Sequence, residues 1–169
     1  MSSFGNANPR PHEAPMPDPL AYFLTWTTYG TWLPGDERGW VLKRKGFQLP
    51  NLVTRQLAAD RMTETFCVLD DAQRGIVERT IAEHCRIRGW HLFTQNCRTN
   101  HVHVVVAADL EPERVRDQLK AWGTRRLKEH CHEHGVRERL NWWTTGGSGR
   151  LIGDEESLEA VIRYVVEGQ

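Results

Sequence analysis

No apolar run in this chain approaches the roughly 18 residues that a membrane-spanning helix needs. Nor does a charged start lead into the apolar stretch of a secretion signal. A cytoplasmic protein with no membrane partner is therefore expected. The four cysteines, Cys67, Cys85, Cys97 and Cys131, contain no CxxC pair. Neither a zinc knuckle nor a disulfide framework is indicated, and small buried hydrophobes are the expected role. Net charge is absent too, with 22 Lys and Arg against 22 Asp and Glu, which weighs against a nucleic-acid protein. The charges are unevenly spread, however: residues 111–141 lean basic and residues 142–169 acidic. Much of the acidic weight is Asp154, Glu155 and Glu156, at a helix start where it complements the helix dipole. Large apolar residues are almost missing from the first twenty positions, which hold Pro9, Pro11, Pro15, Pro17 and Pro19. Residues 1–20 read as a disordered tail, leaving 21–169 as one domain. Tyrosine is scarce (Tyr22, Tyr29 and Tyr164), whereas seven tryptophans provide a dense core or base-stacking surfaces.

What is present is a clear rhythm of elements. Residues 21–28 are aromatic and β-branched, a strand. The irregular stretch 29–70, opened by Gly30 and Pro34-Gly35-Asp36, is too long for a plain connection. It reads as a functional flap with a short helix near 51–64. Val77, Ile81 and Cys85, spaced by four, mark an amphipathic helix over 71–88 that stops at Gly89. Residues 90–97 form a second strand, turned at Asn100 into a third over 101–107, so the two make an antiparallel hairpin. A long helix spans 112–133, with Val115, Leu119 and Trp122 on one side. Residues 141–145 and 150–152 are extended, interrupted by Gly146-Gly147-Ser148-Gly149. A last helix covers 154–167, ended by Gly168. The order β-α-β-β-α-β-α predicts an α+β fold: a ferredoxin-like sandwich with an antiparallel sheet and an added C-terminal helix.

Two features bear chemistry. His101 and His103 stand one residue apart in the run His101-Val102-His103-Val104-Val105-Val106-Ala107. Side chains alternate along a strand, so both imidazoles share one face while Val102, Val104 and Val106 enter a core. Such a pair holds a metal, handles a proton, or is merely a satisfied polar pair; two on one face favour the metal. The third position of a His-x-His-x-His hydrolase pattern is Val105, which counts against that alternative. In the last helix, Leu158, Val161, Ile162 and Val165 form the buried stripe. Tyr164 falls on the flank of that stripe, free to turn its hydroxyl across a groove or to sit as an ordinary boundary tyrosine.

Other residues carry weaker signals. Arg114, Arg116, Lys120, Arg125, Arg126 and Lys128 can steer phosphates or simply form a solvated helix face. Gly146 to Arg150 suits close backbone approach to DNA or a plain hairpin turn, and Trp32 and Trp40 can stack on unpaired bases. His130, His132 and His134 look metal-like but sit at a helix end among Lys128, Glu129 and Glu133, and are read as surface residues.

Three stretches together carry a family resemblance: Thr28-Tyr29-Gly30-Thr31-Trp32-Leu33-Pro34-Gly35-Asp36, then Asn100-His101-Val102-His103, then Arg163-Tyr164-Val165-Val166-Glu167-Gly168-Gln169. In that order, around that pattern of elements, the chain resembles the single-tyrosine HUH transposases, the group that includes the REP-associated tyrosine transposases. The resemblance implies cleavage and rejoining of single-stranded DNA, with a hairpin-forming recognition element. It makes Tyr164 the nucleophile of a 5′-phosphotyrosine intermediate, and gives His101 and His103 a divalent ion, Mg²⁺ or Mn²⁺. Related enzymes supply a third ligand, Asn or Gln, one helical turn after the tyrosine. Gly168 stands there in this chain, so Gln169 is the expected ligand and Glu167 the second choice. Arg98 and Thr99 also replace the apolar-Pro pair expected before Asn100. Trp32 and Arg150 complete the expected DNA contacts. A monomer is expected, with a homodimer as the alternative. The other functional readings are a nucleic-acid-binding module of this fold without catalysis, and a metal-dependent nucleotide hydrolase.

Overall fold

A computed structural model describes residues 18–42 and 44–167. The elements in chain order are β1 (Ala21–Thr27), β2 (Trp40–Leu42), β3 (Gly46–Gln48), α1 (Leu52–Asp60), α2 (Asp71–Arg88), β4 (His91–Cys97), β5 (His101–Ala107), α3 (Pro112–Glu133), β6 (Ser148–Ile152) and α4 (Glu155–Glu167). Four strands pair in the order β4-β5-β1-β6, every neighbour antiparallel. The fold is therefore the expected α+β sandwich with an antiparallel sheet and a C-terminal helix. The small β2–β3 hairpin and α1 lie in the stretch read as a flap.

Local chemistry sets the helix limits. Asp70 and Gln73 form a reciprocal capping box at the start of α2, and Gly89, left-handed at φ 70°, ends it. Asp154 accepts from the Ser157 backbone N–H at 2.8 Å in the first turn of α4.

The sheet has two unequal faces. On one, Leu24, Trp26, Val102, Val104 and Val106 pack against Val77 and Ile81 of α2 and Val115, Leu119 and Leu127 of α3, all buried. On the other, the single helix α4 lays Val161 and Val165 over Ala21, Val105 and Ile152, with Leu158 and Ile162 alongside. All four cysteines are buried free thiols, and burial pushes Cys85 and Cys97 up to about 11 and about 12.

Several expectations need correction. Trp122 is not on the buried stripe of α3; it is 38% exposed, with the Arg125 guanidinium over its ring. The stripe runs by fours through Val115, Leu119, Gly123, Leu127 and Cys131, because 3.6 residues per turn carry position 122 round to the flank. Residues 141–145 form only an isolated bridge, Thr28 with Trp143. Buried Trp142 and half-buried Trp143 pack into the core there, and the Trp143 indole N–H donates to Lys120 O and Thr124 Oγ1. The final strand starts at Ser148, two residues earlier than expected. Of the tail read over 1–20, residues 1–17 lie outside the described residues, and Leu20 already donates its backbone N–H to Ile152 O at 2.8 Å.

The glycine turn before β6 faces inward. Gly147 has φ +136°, and a Cβ there would lie 2.5 Å from Thr25 O and 2.9 Å from Arg116 Cδ, so only glycine fits. Buried Arg116 donates to Gly147 O, and Lys120 Nζ donates to Thr144 O and Gly146 O, each at 2.8 Å.

Candidate active site

The side of the sheet beneath α4 has a strip that the helix does not seal. Register fixes what stands on it: Thr25 opposite His103 and Thr27 opposite His101 on β1, with Asn96 opposite His103 on β4. His101 and His103 project together, ring centroids 4.7 Å apart. Tyr164 comes down from α4 with its ring edge-on to His103 at 5.8 Å and to Phe23 at 6.1 Å, and it is 46% exposed. His103 also stacks on Phe23 at 5.4 Å. His101, His103, Asn100 and Tyr164 line one cavity of about 180 Å³.

Each imidazole is held by a neighbour. His101 Nδ1–H donates to Asn100 Oδ1 at 2.7 Å, which leaves Nε2 as the lone-pair nitrogen. Asn100 is fixed in turn, because its carbonyl accepts from the Thr28 N–H at 2.9 Å and from the hydroxyls of Thr28 and Thr31. Buried Thr28 also donates to Cys67 O at 2.6 Å, tying both ends of the flap to the hairpin tip. His103 Nδ1 shares a 3.0 Å hydrogen bond with Thr25 Oγ1, while His103 Nε2 is buried with no partner among the described residues.

Burial, followed by the charges of Arg98 and Arg38, holds His101 below the usual histidine range. Burial, His101 and Arg98 push His103 down to about 4. Both rings are therefore neutral at pH 7, the form that ligates metals. Two neutral imidazoles on one strand face, each with one nitrogen fixed by a neighbour and one of the remaining nitrogens orphaned, fit a divalent metal.

Glu167 is exposed at the end of α4. Among the described residues no group of three or more His, Cys, Asp or Glu is placed to hold a metal ion. Gln169 lies outside the described residues. Of the expected DNA contacts, Arg150 is near the site, its guanidinium 5.7 Å from the Phe23 ring centroid. Trp32 is 39% exposed in the flap, its indole N–H on Gly39 O and one ring face covered by Arg38. Arg114, Lys120, Arg125 and Arg126 are on α3, across the sheet from the histidines. There Arg125 and Arg126 both pair with Glu129, and burial lowers Lys120 to about 8. His130 and His134 lie ring to ring at 4.2 Å at the end of α3.

Sequence reading missed Thr25, Asn96 and Phe23. Thr25 and Phe23 lie on one face of β1 by simple alternation, but which strand they meet depends on sheet order. Asn96 Nδ2 donates to Val165 O at 3.0 Å, pinning α4 beside its tyrosine.

Residues 63–168 match the family described as Transposase IS200 like, and the chain belongs to that family. No curated protein matches it. Among solved structures it is similar to a REP-associated tyrosine transposase bound to a REP hairpin, at 11% identity over 98% of this chain and 70% of that one, TM-score 0.48. It is also similar to a protein from Deinococcus radiodurans R1 described as a candidate transposase, at 16% identity over 96% of each chain, TM-score 0.45. Family membership rests on the sequence match rather than on these two likenesses. No helix among the described residues is long and apolar enough to cross a membrane.

Proposed function

We propose that this transposase cleaves and rejoins single-stranded DNA through a 5′-phosphotyrosine at Tyr164. The observation that carries the reading is the meeting of Tyr164 with His101 and His103 at one cavity. The other two tyrosines are engaged elsewhere. Tyr22 packs on the α2–α3 core, and the Tyr29 hydroxyl accepts from the Thr63 N–H at 3.1 Å.

Tyr164 Oη attacks the scissile phosphorus in line, releasing its proton to the water that reaches this half-exposed side chain. The new O–P bond forms as the bond from phosphorus to the 3′ oxygen breaks, and that oxygen leaves as a 3′-hydroxyl. Rejoining reverses the exchange: a 3′-hydroxyl attacks the phosphotyrosine and the phenol leaves, with no need for ATP. A phenol of pKa near 10 is a weak nucleophile at neutral pH. His101 and His103 are the residues that would hold Mg²⁺ or Mn²⁺, with Gln169 the candidate third ligand. When bound there, such an ion would supply charge neutralisation at the attacked phosphate. Arg150, beside Phe23 at this face, and Trp32 in the flap are expected DNA contacts, and a strand with a hairpin element is the expected substrate.

The test is a covalent adduct. End-labelled single strands incubated with the protein and Mn²⁺ should give a slow-moving species on a denaturing gel. Binding without an adduct would favour a catalytically silent DNA-binding module, and hydrolysis of free nucleotides would favour a hydrolase.

A further inference from the structure

Neither the proposed attack nor the proposed metal binding uses a cation that stands at this cavity. Arg98 lines it together with Asn100, His101, His103 and Tyr164. It is anchored at the hairpin mouth, its backbone N–H donating to His101 O at 2.8 Å. Its charge is felt at both imidazoles, and at His101 more strongly than that of Arg38. Arg38 is already committed: it forks onto both carboxylate oxygens of Asp36 at 2.7 and 2.8 Å and donates to Thr31 O. Among the described residues Arg98 has no carboxylate within ion-pair distance and no side-chain hydrogen bond.

The described lining of the cavity contains no aspartate or glutamate, and Arg98 is its one arginine or lysine, so the cavity attracts anions. A guanidinium presents paired N–H donors that match two oxygens of a phosphate. We propose that Arg98 binds a backbone phosphate of single-stranded nucleic acid in this cavity, beside the phosphate that Tyr164 addresses or at that phosphate itself. The choice of ligand rests on the proposed strand-cleaving role, but the contact itself requires only a phosphodiester backbone.

The experiment measures affinity for a fluorescein-labelled oligo-dT single strand by anisotropy across a salt series, without divalent metal, for the wild-type chain, Arg98→Ala and Arg98→Lys. One phosphate contact on a single strand contributes about 0.7 to the slope of log K against log salt. Arg98→Ala should lower the slope by about that amount, and Arg98→Lys should restore it. A residue that only shapes the hairpin would change affinity and leave the slope alone, and the lysine variant keeps the charge if alanine disturbs folding. An unchanged slope in Arg98→Ala, a lost slope in Arg98→Lys, or no measurable binding by the wild-type chain overturns the proposal. An adduct assay on the same proteins separates the two ideas. A chain that binds with the expected slope difference but forms no adduct defeats the cleavage reading alone. Adduct formation with an unchanged slope defeats the Arg98 assignment alone.

Discussion

The two faces of β5 meet different fates. Val102, Val104 and Val106 are fully buried beneath two long helices, while His101 and His103, on the opposite face of the same strand, are only partly covered. On that opposite face Val105 is sealed under Val161 and Val165, so burial there ends where α4 ends. One amphipathic helix of 13 residues covers less sheet than the 18- and 22-residue pair on the other side. The difference teaches how the site is made: a rigid, doubly packed strand presents polar side chains on the strip that its second layer leaves open. The valine face anchors the strand in the core, and the histidine face lines the cavity.

Substitutions should separate the two faces. Tyr164→Phe is expected to remove the covalent adduct to the detection limit while changing unfolding free energy by no more than about 0.5 kcal/mol, as befits a half-exposed position; gel assay and urea titration check the two halves. Next in size, Val104→Ala should cost about 2 kcal/mol from lost burial and the cavity left behind. His103→Val, one residue away, should cost less than Val104→Ala, since the lost Thr25 hydrogen bond is offset by removal of a buried nitrogen with no partner. The same change should abolish Mn²⁺ binding measured by calorimetry. Equal destabilisation by both would erase the distinction between the faces.

Acid should act through the histidine face. His103 titrates at about 4 when folded, against 6.5 as its ordinary value. The unfolded chain therefore binds more protons between those limits, and stability falls as pH drops from about 6.5 toward 4. Urea midpoints measured over that range for the metal-free protein should flatten in His103→Val. The smallest expected effect belongs to Asn96→Ala, which frees the Val165 carbonyl from β4. Loss of that hydrogen bond, worth ~1 kcal/mol, should slow adduct formation on the order of five-fold with His101 and His103 untouched.

Much of this was legible in the chain itself. Helix α2 and strand β5 have the limits that apolar spacing and the Gly89 stop predict, and the flank position of Tyr164 on α4 follows from the stripe of Leu158, Val161, Ile162 and Val165. Trp122 misled because a large aromatic near a stripe looks like core until the run of four-residue steps through Gly123 is seen in three dimensions. Thr25 was invisible as a site residue for another reason: its nearness to His103 is set by sheet order and register, which no local pattern encodes. The arginines of α3 look like any basic helix face in sequence; only the packing of α3 on the valine side separates them from the histidines.

Tyr164, across the cavity from His101 and His103, is the residue proposed to become joined to DNA. The most direct test is to digest the adduct formed with a single strand and Mn²⁺ by trypsin and nuclease, then locate the retained nucleotide by mass spectrometry. The modification should lie on the peptide that begins at Tyr164, released by cleavage after Arg163. A nucleotide found on Tyr22 or Tyr29, or an adduct that persists in Tyr164→Phe, would contradict it.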